Sequence, residues 1–287
     1  METTKTLVLA CIDGSSYSPA VCDSAAWAAL RLDAPLTFIH VLSKVREAPQ
    51  HDLSGSIGFG TRESLLEELA TLDEKRGKLA QERGRQIIAA ARERARAAGV
   101  AAPEGLQRHG GLVETLSEFE EGVRLLVIGK RGEAAAVATE HIGSHLERVI
   151  RSMSRPILVT TDTFRAPQRI MIAFDGSATT RKGVDMVAKS PLFKGLPCHL
   201  VMAGAATLDT RAQLSHARQT LEAAGFEAPA AIFPGEPEAV LARYRQENDI
   251  DMVIMGAYGN SRIRQLFVGS TTTEMIRKST VPLLLLR

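Results

Sequence analysis

The sequence predicts an α/β protein built from two successive five-stranded parallel sheets, each sandwiched between helices. Three observations predict it. The same landmarks occur twice in the same order, apolar runs rich in Leu, Ile, Val and Met alternate with helix-like stretches, and 287 residues divide into two domains of ordinary size. Val8-Leu9-Ala10-Cys11-Ile12-Asp13-Gly14-Ser15 returns as Ile170-Met171-Ile172-Ala173-Phe174-Asp175-Gly176-Ser177. Leu125 to Gly132 returns as Met252 to Gly259, and Arg155-Pro156-Ile157-Leu158-Val159 as Val281-Pro282-Leu283-Leu284-Leu285. A repeat this long indicates duplicated domains, because solenoid units run to only about 20 to 50 residues. The boundary is expected between Asp162 and Gln168, where the apolar pattern breaks, giving domains 1–162 and 168–287.

In the first half, strands are expected near Thr6 to Ile12, Leu36 to Leu42, Gly105 to His109, Leu125 to Gly129 and Pro156 to Thr160. Helices fall between them, near Ser16 to Arg31, Arg62 to Ala98, Leu112 to Glu121 and His141 to Ser152. The second half repeats the order with strands near Arg169 to Phe174, Cys198 to Ala203, Glu227 to Phe233, Met252 to Gly256 and Pro282 to Leu286. Its helices lie near Ala178 to Lys189, Leu208 to Ala224, Pro237 to Glu247 and Thr271 to Ser279. Near-continuous apolar strands are what a parallel sheet covered on both faces requires. An insertion sets the first half apart. Ala48 to Gly60 is rich in Gly and Ser and reads as a mobile loop, and the helix after it offers Leu65, Leu66, Leu69, Leu72, Leu79, Ile87 and Ile88 as one apolar face to pack on the sheet.

Composition narrows the function. A formal charge of +2 and the lack of any block of like charge give no footprint for nucleic acid or an anionic membrane. No stretch approaches the roughly 20 apolar residues of a membrane helix, and no secretory leader is visible, so a cytoplasmic protein is expected. Cys11, Cys22 and Cys198 form no Cys-x-x-Cys pair and read as buried reduced thiols. His141 and His145 stand one helical turn apart beside Glu140, but without a third ligand or a His-Glu-x-x-His they do not make a metal site. His40, in an apolar strand, reads as a satisfied buried imidazole. No Gly-x-Ser-x-Gly and no Gly-x-x-x-x-Gly-Lys-Ser/Thr is present, so catalytic residues are not assigned.

The informative motif is Gly256-Ala257-Tyr258-Gly259, nine residues, then Gly269-Ser270-Thr271 opening a helix. Glycines at a strand exit let main-chain N–H groups approach an anion, and a helix N-terminus adds unpaired donors and positive dipole. Glycine at such a point also serves plain turning, and Asp-Gly-Ser after a strand also serves plain turn and N-cap chemistry. In open parallel sheets ligands bind outside the carboxyl ends of the strands where strand order reverses, and Asp175 and Gly256 stand at such ends.

These residues resemble the universal stress proteins. Gly256, Gly259, Gly269 and Ser270, preceded by Asp175 at the end of the first strand of their half, match the family pattern of Gly, two residues, Gly, nine residues, Gly, Ser or Thr. The resemblance covers the whole chain as a tandem member. It implies an adenine-nucleotide-binding, Rossmann-like fold of the adenine-nucleotide alpha-hydrolase-like kind. It also implies a site for ATP, or AMP or ADP, with or without Mg²⁺. Asp175 and the second-strand end Ala203 would face the adenine, while Gly256, Ala257, Gly259, Gly269, Ser270 and Thr271 hold ribose and phosphates. In the first half the corresponding set is Asp13, Val41, Gly129, Gly132, Gly143 and Ser144, but ten residues separate Gly132 from Gly143. One added residue turns a helix start by about 100°, so the second half is favoured as the nucleotide site. Lys130 and Arg131 offer the first-half loop either anion binding or plain solvated charge.

Three function classes follow: a nucleotide-binding regulator acting on a protein partner yet to be identified, a nucleotide-hydrolysing or adenylylating enzyme using Mg²⁺ and Asp175, and a scaffold with empty sites. The first is preferred, because no water-activating base is evident beside the phosphate motif. Val281 to Leu286 is an apolar edge that needs covering, and pairing with Pro156 to Thr160 covers both. By resemblance to family dimers this makes an intrachain pseudo-dimer, and two chains can associate further.

Overall fold

The computed structural model describes residues 6–42, 59–132, 144–257 and 270–287, with side chains at all of these except 59–67, 144, 270 and 271. In the first half β1 (Leu7–Cys11), α1 (Ser18–Leu32), β2 (Leu36–Leu42), α2 (Phe59–Ala97), β3 (Glu104–His109), α3 (Leu112–Phe119), β4 (Val123–Gly129), α4 (Ser144–Ser152) and β5 (Ile157–Thr160) follow one another. The second half runs β6 (Ile170–Ala173), α5 (Ala178–Lys189), β7 (Cys198–Ala203), α6 (Leu208–Ala223), β8 (Ala230–Phe233), α7 (Pro237–Glu247), β9 (Met252–Gly256), α8 (Ser270–Lys278) and β10 (Leu283–Leu286). The expected alternation is present throughout. Boundaries move by a few residues; β8 begins at Ala230 instead of Glu227, directly after Pro229, whose ring removes a ladder donor.

The two five-stranded halves share one ten-stranded sheet in the order β3-β2-β1-β4-β5-β10-β9-β6-β7-β8. Pairing is parallel within each half and antiparallel only at the seam, where Leu283, Leu284 and Leu285 of β10 face Val159, Leu158 and Ile157 of β5. Each half is the mirror order of the other about that seam, as a pseudo-two-fold demands. The apolar edge expected at the last strands is therefore covered from within the chain.

Helices α1, α2, α5 and α6 cover one face of the sheet, and α3, α4, α7 and α8 the other. Both faces are dry, because alternate residues of each strand join opposite cores: Val8 and Ala10 enter the first, Leu9 the second. Each core runs across the seam without a break, so the halves are not separable packing units. On one face Trp27 of α1 meets Phe164 of the connecting segment and Phe193 beyond α5, with ring centroids 5.9 and 6.3 Å away. Arg31 Nε donates to the Leu192 carbonyl at 2.9 Å beside them. On the other face two cations reach across to helix ends: Lys130 Nζ donates to the Ser279 carbonyl beyond α8 (3.0 Å), and Arg287 Nη1 to the Met153 carbonyl beyond α4 (2.8 Å). Cations there complement the negative end of the helix dipole.

Helix α2 departs from expectation. Gly84, Ile88, Ala91 and Ala95 pack on the sheet, but Leu69, Leu72 and Leu79 are 56%, 44% and 71% exposed. Length is part of the reason, and the helical phase of these leucines is the rest. Thirty-nine residues span about 58 Å of helix, whereas a seven-residue strand such as β2 runs only about 23 Å, so the N-terminal half of α2 overshoots its support.

Candidate functional site

In each half the first strand lies between the second and fourth: β4-β1-β2 and β9-β6-β7. The chain leaves the first strand toward one neighbour and returns on the opposite side, so a crevice opens at its carboxyl end. In the second half that end carries Asp175, with Ala203 ending β7 and Gly256 ending β9 on either side. In the first half the same place holds Asp13, Val41 near the end of β2, and Gly129 ending β4. Strand bonding fixes these levels alike: Ile12 N donates to the Ile39 carbonyl (3.0 Å), and Phe174 N to the Val201 carbonyl (2.9 Å).

The two Asp-Gly-Ser turns are close copies. Gly14 and Gly176 have φ of +78° and +71°, a left-handed conformation that favours glycine. Asp175 is exposed, and its Oδ1 accepts from Ser177 N at 2.9 Å and from Thr180 Oγ1 at 2.7 Å. Ser177 in turn caps α5 by accepting from Thr180 N at 3.2 Å. Among the described residues no donor reaches Asp175 Oδ2. In the first half Asp13 Oδ1 accepts from Ser15 N (3.0 Å) and Ser18 Oγ (3.3 Å). There Gly132 lies so close that a methyl group on it would stand 2.7 Å from Asp13 Oδ2. Ile87 Cδ1 of α2 crowds Gly14 in the same way, while in the second half Gln213 of α6 leans over Gly176.

Gly129 backs onto Tyr17, with the Tyr17 Cβ 2.9 Å from where a side chain at 129 would begin. Lys130 does not turn to the crevice; its ammonium is spent on the Ser279 carbonyl. Partial burial and the neighbouring Arg131 hold its pKa below the usual lysine value, against the opposing pull of Asp162. Ala257 N donates to the Leu286 carbonyl at 2.8 Å, extending the β9–β10 pairing, so that amide is already engaged. Buried Thr272 donates to the carbonyls of Gly256 (3.3 Å) and Ala257 (3.1 Å), tying the first turn of α8 to the end of β9. Ser270 and Thr271 open α8 and Ser144 opens α4. Gly259, Gly269 and Gly143, like the loop Ala48 to Gly58 ahead of α2, lie outside the described residues.

Sequence reasoning passed over Thr180, Ser18, Tyr17 and Thr272. A signal for two of them was present: a hydroxyl residue follows each Asp at the same spacing, Asp13 to Ser18 and Asp175 to Thr180. Tyr17 and Thr272 act through three-dimensional proximity alone.

Other titratable candidates are structural. Burial pushes the thiols of Cys11, Cys22 and Cys198 up to about 12, leaving them protonated and unreactive near neutrality. His40 Nδ1 lies 2.8 Å from the Ile12 carbonyl, a buried link between β2 and β1, in keeping with a satisfied imidazole. Among the described residues, no group of His, Cys, Asp and Glu has the arrangement of a metal site, and no helix is long and apolar enough to cross a membrane.

Comparison with known proteins gives a consistent result. The model of the universal stress protein family matches residues 6–161 and again 167–287. Universal stress protein Slr1230 of Synechocystis sp. is 36% identical over 284 residues, covering 98% of this chain and 99% of that protein. Universal stress protein MJ0577 of Methanocaldococcus jannaschii is 26% identical over 81 residues, 28% of this chain and 50% of its own. The crystal structure of a universal stress protein from Archaeoglobus fulgidus superposes with a TM-score of 0.74 at 19% identity, covering 100% of this chain and 99% of that one, a likeness of fold. The duplicated strand order, the paired Asp-Gly-Ser turns and two family matches that together span nearly the whole chain have one reading: the chain belongs to the universal stress protein family, as a tandem member with both repeats in one sheet.

Proposed function

We propose that the second half, residues 168–287, binds ATP or a related adenine nucleotide (AMP or ADP), with or without Mg²⁺, and that occupancy alters the surface shown to a regulatory protein partner in the cytoplasm. The observation that carries this reading is the meeting of Asp175, Ala203 and Gly256 at a point of strand-order reversal, with Ser270 opening α8 after the same strand. The donor set fits such a ligand. Asp175 Oδ2 is an exposed acceptor, suited to an exocyclic amine, and the α8 N-terminus supplies main-chain donors suited to a phosphate. The sequence offers no evident water-activating base beside the phosphate motif, so turnover is expected to be slow. The first half, 1–162, is assigned a lesser part or none, supported by its ten-residue spacing from Gly132 to Gly143 and by the approach of Gly132 to Asp13.

Mass spectrometry of small molecules released from the purified chain, followed by calorimetric titration of ATP, tests this. Asp175→Ala is expected to weaken ATP by roughly 10-fold or more, the worth of a charge-assisted hydrogen bond, and bulky replacements at Gly259 or Gly269 to abolish binding. Asp13→Ala should change affinity by less than about 2-fold. Unchanged affinity in Asp175→Ala refutes the assignment, and a larger loss in Asp13→Ala moves the site to the first half. Rapid phosphate release that Asp175→Ala abolishes would favour an enzyme instead.

A further inference from the structure

The exposed leucines of α2 are not a continuation of its sheet-facing side. At about 100° per residue, Leu69, Leu72 and Leu79 centre more than about 90° around the helix from Gly84, Ile88, Ala91 and Ala95. The sheet could not cover them even if it were longer. Their spacing places Leu69 at one seam position of a heptad repeat and Leu72 and Leu79 at the other, the pattern by which one helix packs on another. We infer that this half of α2 is the interface of a homodimer, pairing antiparallel with α2 of a second copy.

Charge selects the partner and the direction. Around the stripe Glu68, Asp73, Glu74 and Glu82 balance Lys75, Arg76, Lys78 and Arg83, so the segment lacks the basic excess that draws a helix to an anionic membrane. A parallel, in-register pair would set Arg76 against Arg76 in the seam and Glu68 beside Asp73, both like-charged. The antiparallel register that sets Leu69 opposite Leu72 of the second copy parts the arginines and places Glu68 beside Lys75 twice, once on each side of the two-fold. Sliding by one heptad to set Leu69 opposite Leu79 instead brings Lys75 to Lys75 and Glu68 to Glu82. Of these arrangements only the antiparallel one with Leu69 opposite Leu72 sets leucine on leucine without opposing like charges, with Leu79 at its outer end, and its two-fold symmetry closes the assembly at a dimer. About 20 Å of paired helix buries less than the roughly 1,200 Å² of a stable interface, so the dimer is weak and reversible.

The interface is independent of nucleotide. Sedimentation equilibrium of the full chain from about 1 µM to about 1 mM should show a monomer–dimer equilibrium. Leu72→Glu should weaken it at least 10-fold while circular dichroism keeps its native form, because the side chain is exposed in the monomer. Glu68→Lys and Lys75→Glu should each weaken it several-fold, and the double variant should recover the wild-type constant, as only the antiparallel register requires. A chain that stays monomeric, a dimer indifferent to Leu72→Glu, no recovery in the double variant, or co-sedimentation with phosphatidylglycerol vesicles would each overturn the proposal.

Discussion

Single residues decide how the strand ends are held. The hydroxyls of Thr180 and Ser18 fix the aspartates that end the first strand of each half, and the repeated spacing makes both visible in the sequence once the turn is known. His199 was not legible in that way. It sits buried on β7 with Nδ1 2.9 Å from the hydroxyl of Tyr244 on α7, a partner 45 residues away. Burial holds its pKa below the ordinary 6.5, Glu227 opposing and Arg169 assisting. A depressed imidazole pKa means that the unfolded chain binds the proton first. The His199 contribution is therefore complete above the unfolded value and is lost as pH falls through the folded one. Stability should decline on acidification from neutrality, and His199→Gln should flatten that part of the profile; urea midpoints measured across the range check it. An equal slope in the variant would mean that other groups carry the acid sensitivity.

At the scale of elements, α2 shows where local pattern stops being informative. Its helical propensity and apolar spacing were plain, but which leucines meet the sheet depends on how the helix is rotated against it and on where a long helix crosses a short strand. Two glycines on this helix should respond oppositely to one substitution. Gly77 has no atom within 4 Å of where a Cβ would stand, and Gly84 would drive that carbon to 2.5 Å from Gln107 Nε2 and 2.7 Å from His40 Cδ2. Gly77→Ala removes only the entropic cost of glycine in a helix, so it should stabilise the exposed half by about 1 kcal/mol, seen as slower amide exchange along residues 68–83. Gly84→Ala overpacks a contact whose imidazole is tethered to Ile12, and should cost about 1–3 kcal/mol in global urea unfolding. A neutral result at Gly84 would show that α2 can lift from β2 and β3 freely.

For the whole molecule the seam between β5 and β10 is decisive. Leu284, 1% exposed, lies opposite Leu158 in cores that both halves share. Leu284→Ala should cost about 2–5 kcal/mol. Because the cores are continuous, the chain is expected to unfold in one transition. Trp27, the chain's single tryptophan, packs against Phe193 of the second half, so its fluorescence should report the same lowered midpoint as circular dichroism. Separate midpoints would show two independent domains. The cations that reach across to the helix ends break the pseudo-symmetry at side-chain level: Lys130 comes from a loop after β4, Arg287 from the chain end after β10.

The sequence by itself determined the duplication, the alternation of strands and helices, the dry sheet and the strand-end aspartates, because these are written in local periodicity and in a repeated motif. Tertiary structure alone decided the continuity of both cores across the seam, the diversion of Lys130 to the opposite helix end, the contact of Gly132 with Asp13 and the exposure of the α2 leucines. Each of these joins residues far apart in the chain, and such distances are set by how whole elements stack, which no short window of sequence encodes.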